Sequence, residues 1–292
     1  MKILLLGKNG QLGWELQRCL QPLGEIVALD VPEIDLRKPD SICPLIREIK
    51  PNVLVNATAY TAVDRAESEA ELAVQINAEA PRVMAEECAA QKCVFIHYST
   101  DYVFDGTKGS PYTEADRPNP LNQYGRSKWL GEQAIQAVDG LYLIFRTAWV
   151  YSLRGESFVR KVLQWSRQQE TLRVVDDQIS NPTWARMLAE TTALLLARQT
   201  LAGLAERKGL YHLAGNGYCS RYEWAKAILE FDPDPQQRLT RQIQPAKSAE
   251  FPTPAQRPLF SALSCERFAA TFDLRLPAWK EALKLALITP SV

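Results

Sequence analysis

Apolar positions along this 292-residue chain fall into short unbroken runs alternating with segments of helical spacing. Residues 3–6 (Ile-Leu-Leu-Leu) are a run closed by Gly7, the pattern of a strand buried on both faces. Leu12, Leu16, Cys19, Leu20 and Leu23 then recur at helical spacing, and Gly24 closes the segment. Ile26–Leu29 predicts a second strand ending at Asp30, and residues 40–50 a helix that stops before Pro51. Val53–Val55 is a third strand, and 67–91 is helical with Pro81 as an interruption. Val94–Ile96 resumes the sheet and runs into Tyr98-Ser99-Thr100-Asp101. A loop rich in Gly and Pro spans 105–123. Tyr124 then opens a helix to about Val138, and 141–145 is another buried strand. Strands alternating with helices imply an α/β protein whose parallel sheet is covered on both faces.

After about residue 150 the pattern loosens. It predicts a helix at 155–168, a strand at 172–176, helices at 184–199 and 220–231, and a strand-like Leu210–Leu213 between them. Residues 232–260 hold six prolines and little periodicity. The chain thus divides into a strand–helix domain over 1–150 and a smaller region over 151–292, interleaved with the first, that supplies a substrate wall. Length allows one large domain or two coupled ones.

Composition removes several function classes. Lys plus Arg number 34 and Asp plus Glu 34, so a formal charge of zero gives no electrostatic reason to expect nucleic acid or an anionic membrane as partner. The six cysteines (Cys19, Cys43, Cys88, Cys93, Cys219, Cys265) form no C-x-x-C pair. Only His97 and His212 are present, so no metal site is expected. Scattered thiols read as buried cysteines of a reducing compartment. The apolar run after Met1-Lys2 is too short for a signal peptide, and no segment reaches ~18 apolar residues. The expectation is a cytoplasmic protein.

Gly7-Lys8-Asn9-Gly10-Gln11-Leu12-Gly13 spaces its glycines as G-x-x-G-x-x-G between a strand and a helix. Glycine lets the loop turn sharply and lets backbone approach a pyrophosphate, while the helix N-terminus offers free N–H groups and partial positive charge. This context predicts a Rossmann-type, doubly wound dinucleotide site in the first domain. Asp30, 17 residues after Gly13, is placed to accept bonds from an adenosine ribose 2′-OH and to repel a 2′-phosphate. That leans towards NAD or dual use, with Lys8 and Arg37 able to soften the exclusion. Asp35-Leu36 could flank the adenine, or Asp35 could simply cap a turn. The small residues of Asn56-Ala57-Thr58-Ala59-Tyr60-Thr61 leave room for a dinucleotide at the carboxyl end of the third strand. Asn77 reads as structural support for that loop.

Tyr124 and Lys128 stand at i and i+4 on one helix face. A phenol with a pKa near ~10 is a poor acid–base catalyst at neutral pH, and a nearby ammonium lowers it. Ser99-Thr100 ends a strand about 24 residues upstream and brings a hydroxyl. Trp149, at the end of a buried strand, is either a binding aromatic or a core one. Asp101 is either a substrate contact or a turn cap. Arg257 either pairs with a diphosphate or forms a surface salt bridge.

The combination resembles the extended short-chain dehydrogenase/reductase superfamily. Within it, GKNGQLG, NATAYTAVDRAE, YSTDYVFDG, PLNQYGRSK, RTAWVY, DQISNPT and FPTPAQRP are similar to the dTDP-4-dehydrorhamnose reductase family. The resemblance implies reduction of the C4 ketone of dTDP-4-dehydro-β-L-rhamnose to dTDP-L-rhamnose with NADPH or NADH, the last step of dTDP-rhamnose biosynthesis. It implies Tyr124 as general acid, Lys128 tuning Tyr124 and orienting the cofactor ribose, and Thr100 bonding the ketone oxygen. It further implies substrate contacts at Asp101 and Trp149, and cofactor contacts at Gly10-Gln11-Leu12, Asp30, Asp35-Leu36 and Ala59-Tyr60-Thr61. Some relatives dimerise through magnesium, so a homodimer and Mg are implied by resemblance alone. The chain departs from the family's pattern at Ser180-Asn181, at Arg221, where Trp is frequent, and at Leu259-Phe260. Two other readings share the fold: a nucleotide-sugar 4-epimerase, and a non-catalytic subunit resembling the beta subunit of methionine adenosyltransferase.

Overall fold

Five apolar runs of the first half become adjacent parallel strands: β1 (Lys2–Leu6), β2 (Glu25–Leu29), β3 (Val53–Asn56), β4 (Val94–Thr100) and β5 (Tyr142–Thr147). The computed structural model describes residues 1–288. A sixth strand, Gly209–His212, joins the sheet beside β5, giving the order β2-β1-β3-β4-β5 and then 209–212. The strand sequence reverses direction between β1 and β3, so a crevice opens at their carboxyl ends, the usual ligand position in a doubly wound sheet.

Side-chain alternation explains why both faces are buried. Ile3, Leu5, Val53, Val55, Ile96 and Phe145 face helix α1 (Gln11–Cys19) and the helix Ala185–Arg198. Leu4, Leu6, Leu54, Phe95 and Ile144 face α2 (Ile42–Ile49), which also carries Ile42 and Ile46 into that core. On the same side lie α3 (Val63–Ala66), α4 (Ala70–Val74), α5 (Ala80–Gln91) and α6 (Gln123–Val138). Truncating one of these buried leucines to alanine removes about 2–5 kcal/mol of stability.

The expected interruption at Pro81 takes another form. Residues Gln75–Glu79 widen into a π-helical turn, and Pro81 occupies the first turn of α5, where a missing N–H is tolerated. The helix continues through it. The proline-rich stretch after 232 also contains a strand, Gln242–Ala246, paired in parallel with Thr171–Val175 in a two-stranded ribbon. Only an edge position accommodates Pro245 there. Helices Glu266–Phe272 and Trp279–Ile288 follow.

Residues beyond 150 build a third core around Tyr151, Val159, Trp184, Trp224 and Leu283, and also contribute the sixth strand and a covering helix to the central sheet. All six cysteines are free. Among the described residues no helix is long and apolar enough to cross a membrane.

Candidate active site

The crevice at the carboxyl ends of β1, β3, β4 and β5 is a cavity of about 990 Å³. Its floor begins at the glycine turn. Gly7 holds φ +91°, a backbone state that disfavours any side chain. A Cβ at Gly13 would lie 1.8 Å from Gly7 O, so α1 can start this close to the turn only because position 13 is glycine. Gly7, Gly10, Gln11 and Leu12 line the cavity, whereas Gly13 serves as the contact that lets the helix approach. Asn9 also lines it and donates its backbone N–H to Asp30 Oδ2 at 3.0 Å.

Asp30 lines the cavity and accepts from Val31 N through its other oxygen, at 2.8 Å. The two cations expected to soften its charge are engaged elsewhere. Lys8 pairs with Glu33 at 2.6 Å, and Arg37 grips Asp35 through two bonds of 2.8 and 2.9 Å. Hydrogen bonds from Arg37 also hold the Asp35 carboxyl below its ordinary range. Neither Asp35 nor Leu36 lines the cavity: Asp35 closes a local turn on Arg37, and Leu36 is buried in the core beneath the sheet.

Ala59 and Thr61 line the cavity with Ala57 and Thr58. Tyr60 turns away and bonds to Glu69. Its backbone is clamped by Asn77, which accepts from Tyr60 N at 2.8 Å, donates to Tyr60 O at 3.1 Å, and reaches Ser127 Oγ on α6 at 2.9 Å. Asn77 is thus the support expected of it.

Thr100, Tyr124 and Lys128 meet in the same cavity. Asn122 caps α6 by accepting from Gly125 N at 2.8 Å, which fixes the start of the helix carrying Tyr124 and Lys128. Gly125 is required there, because a Cβ would sit 2.1 Å from Tyr102 O. Burial pushes the Tyr124 phenol well above its usual range, with a bond to Thr100 only partly offsetting it. Lys128 is turned toward β4: its Nζ donates to Tyr98 O at 2.7 Å and lies 3.0 Å from His97 Nε2. Burial draws Lys128 down to about 7. In the ligand-free protein burial dominates both groups, raising the phenol and lowering the amine.

Asp101 is buried beside Thr100. It accepts from Thr100 Oγ1 at 3.2 Å, Ser180 Oγ at 2.9 Å and Ser261 Oγ, and burial raises it to about 6. Ser180 is thus a partner of Asp101, and the departure noted in DQISNPT becomes intelligible. Trp149 lines the cavity with φ +41°, a strained state for a bulky residue and one often found at functional sites. Arg257 does not line it. Its guanidinium forks onto Asp64 with two 2.7 Å bonds, tying the 253–257 loop to α3. Tyr102, Arg154 and Arg221 line the cavity without having been expected to. Arg221 carried one signal, its replacement of a frequent tryptophan. Tyr102 and Arg154 carried none, because a lone Tyr or Arg in a loop has no periodicity.

Two further atoms bear on what the cavity holds. Ser99 Oγ and Thr147 Oγ1 are buried, belong to residues that line the cavity, and have no hydrogen-bond partner among the described residues. Buried hydroxyls are rarely left so, and a polar ligand would satisfy them. With the glycine cradle, they fit a dinucleotide. Among the described residues no group of three His, Cys, Asp or Glu side chains is placed to hold a metal, so the magnesium implied by resemblance finds no support.

Comparison with known proteins agrees with this geometry. The family model described as RmlD substrate binding domain matches residues 1–290. The chain belongs to that family. It is 43% identical to the dTDP-4-dehydrorhamnose reductase of Burkholderia thailandensis, covering 98% of each chain. It is 41% identical to the Salmonella typhimurium enzyme of the same name, over 98% of this chain and 97% of the other. Among solved structures, the Bacillus anthracis dTDP-4-dehydrorhamnose reductase in complex with NADP superposes with a TM-score of 0.90 at 32% identity, covering 99% of each chain. A Thermus thermophilus UDP-glucose 4-epimerase, 20% identical with a TM-score of 0.79 over 98% of each chain, shares the fold.

Proposed function

We propose that this chain is a nicotinamide-dependent oxidoreductase that reduces the C4 ketone of dTDP-4-dehydro-β-L-rhamnose to give dTDP-L-rhamnose. One observation carries the reading: Thr100, Tyr124 and Lys128 line a single cavity together with Gly7, Gly10, Gln11 and Leu12 of the glycine turn. Proton donor and dinucleotide cradle are thereby in reach of one ligand pair.

When bound, the reduced nicotinamide supplies the hydride that turns the ketone into an alkoxide. Tyr124 delivers the proton. A phenol raised by burial is fully protonated at neutral pH, the form a general acid needs at the start of a reduction. Thr100, bonded to the phenol side, is placed to donate to the same oxygen and to fix its approach. Lys128 holds the ribose hydroxyls and, once charged, stabilises the phenolate left when Tyr124 gives up its proton. Trp149 supplies an apolar wall for the sugar ring, and Asp101 offers an acceptor for its hydroxyls.

For the cofactor, Asp30 disfavours a 2′-phosphate, and the engaged Lys8 and Arg37 do not offset it. The chain therefore accepts NADH as well as NADPH. Residues 1–150 supply the dinucleotide cradle together with Trp149 and Asp101 of the sugar pocket, and the region over 151–292 completes that pocket, the two being interleaved. The proposed location is the cytoplasm, as the sequence leads one to expect. The test is product identity: stoichiometric NAD(P)H oxidation with release of dTDP-rhamnose, against the epimerase reading, which predicts no net oxidation. A non-catalytic subunit would oxidise neither cofactor.

A further inference from the structure

Arg221 opens the helix Arg221–Glu230 and lines the cavity between Trp149 and the Asp101–Tyr102 segment. Ser220 caps that helix through a reciprocal pair of bonds with Glu223, which fixes where the arginine emerges. The guanidinium stacks 3.7 Å above the Trp149 ring, with Phe158 at 4.8 Å and Trp224 at 5.4 Å. Trp149 and Trp224 are themselves parallel, their rings 5.4 Å apart and 10° from coplanar. The cation therefore rests on a rigid aromatic platform.

Arg221 is half-buried and lacks a carboxylate ion-pair partner among the described residues. Lys8, Arg37 and Arg257 are paired with Glu33, Asp35 and Asp64. Arg154 lines the cavity too, but it is exposed and rests on Trp14, 3.4 Å from the ring centre. Among the described residues Arg221 makes no ion pair; its neighbours are π faces and the Tyr102 hydroxyl. Asp101 is near enough to interact but directs its oxygens at Thr100, Ser180 and Ser261. Burial lowers the Arg221 pKa from its ordinary value, yet an arginine stays charged at any working pH. A charge stripped of part of its water and offered no carboxylate is a preorganised site for an anion from outside the chain.

We propose that Arg221 binds the diphosphate of the nucleotide-sugar substrate, the role that the sequence alone offers to Arg257. This rests on the proposed reading that the cavity accepts a nucleotide sugar. The planar fork meets two phosphate oxygens at once, and stacking on Trp149 limits its rotation before the ligand arrives. Trp149 thereby has two tasks, an apolar wall on one side and a support for the cation on the other. Arg257 becomes a positioning residue: gripped by Asp64, it holds the 253–257 loop over α3.

The experiment is direct binding of dTDP and of thymidine to wild type, Arg221→Gln and Arg221→Lys by calorimetry, with NADPH binding measured on the same samples to show an intact fold. In Arg221→Gln, dTDP is expected to bind at least about 30-fold more weakly, the scale for a lost charge-assisted bond. Thymidine and NADPH change little. Arg221→Lys recovers part of the dTDP affinity, and the wild-type advantage shrinks at high salt. Equal weakening of dTDP and thymidine, or no weakening of either, overturns it and leaves Arg221 as packing for the aromatic platform. Turnover of the keto-sugar with dTDP affinity independent of Arg221 sinks this inference alone. Arg221-dependent dTDP binding without turnover sinks the reductase reading alone.

Discussion

His97 Nε2 lies 3.0 Å from Lys128 Nζ, and the surrounding bonds fix which of the two carries the proton between them. Asn56 Oδ1 accepts from Thr58 N at 3.0 Å, which turns the Asn56 amide nitrogen toward His97 Nδ1 at 3.2 Å. An amide nitrogen only donates, so Nδ1 is the acceptor and the neutral ring carries its proton on Nε2, facing Lys128. An amine accepts that N–H; an ammonium clashes with it. Burial acts in the same direction, drawing Lys128 down to about 7 and His97 well below its usual value. The ligand-free protein thus holds a Lys128 that is largely uncharged above neutrality.

A dinucleotide brings negative charge and favours the ammonium, so its binding at pH 8 is expected to take up a fraction of a proton. Calorimetric enthalpies measured in two buffers of different ionisation enthalpy will differ for wild type and coincide for Lys128→Met. Coincident values in wild type would mean that Lys128 is already charged.

Tyr124→Phe removes the proposed proton donor while keeping the ring that packs edge-on against Tyr102 at 5.8 Å. We expect kcat to fall by about 10² or more with cofactor affinity nearly unchanged. A kcat within a few-fold of wild type would take Tyr124 out of the chemistry.

Asp101 gives a pH signature. Its folded pKa of about 6 lies above the unfolded value of about 3.9, so the native state binds the extra proton. Its stabilising contribution is full below pH ~4 and is lost as pH rises through about 6. Against Asp101→Asn, wild type should lose on the order of 3 kcal/mol of relative stability between about pH 4 and pH 7. Denaturant midpoints at the two pH values measure this, and a constant difference would show that Asp101 does not titrate in that window.

On the proposed cofactor reading, Asp30→Ala relieves the repulsion of a 2′-phosphate and removes the acceptor for a ribose hydroxyl. The NADPH/NADH ratio of kcat/KM should rise, by about tenfold for about 1.4 kcal/mol of relieved repulsion. An unmoved ratio would show that another group sets cofactor preference.

The sheet was legible because parallel strands buried on both faces must be unbroken apolar runs, as Ile3–Leu6 and Val53–Val55 are. Tyr124 and Lys128 were legible as an i, i+4 pair, and the glycine spacing reflects a backbone approach that tolerates no Cβ. The strand Gln242–Ala246 was hidden, since an edge ribbon tolerates an exposed Gln242 and Pro245. Charge partners were hidden as well. Nothing local says that Asp64 will capture Arg257 across 193 positions, or that Arg221 will find three rings and no carboxylate. Composition names the charged residues; only the assembled fold decides which remain available to a ligand.

The most direct test of the proposed reaction is the initial rate of NADPH and NADH oxidation with enzymatically generated dTDP-4-dehydro-L-rhamnose, the product identified by mass. One cofactor should be oxidised per dTDP-rhamnose formed, with both cofactors used. Tight cofactor binding without oxidation of either would contradict it.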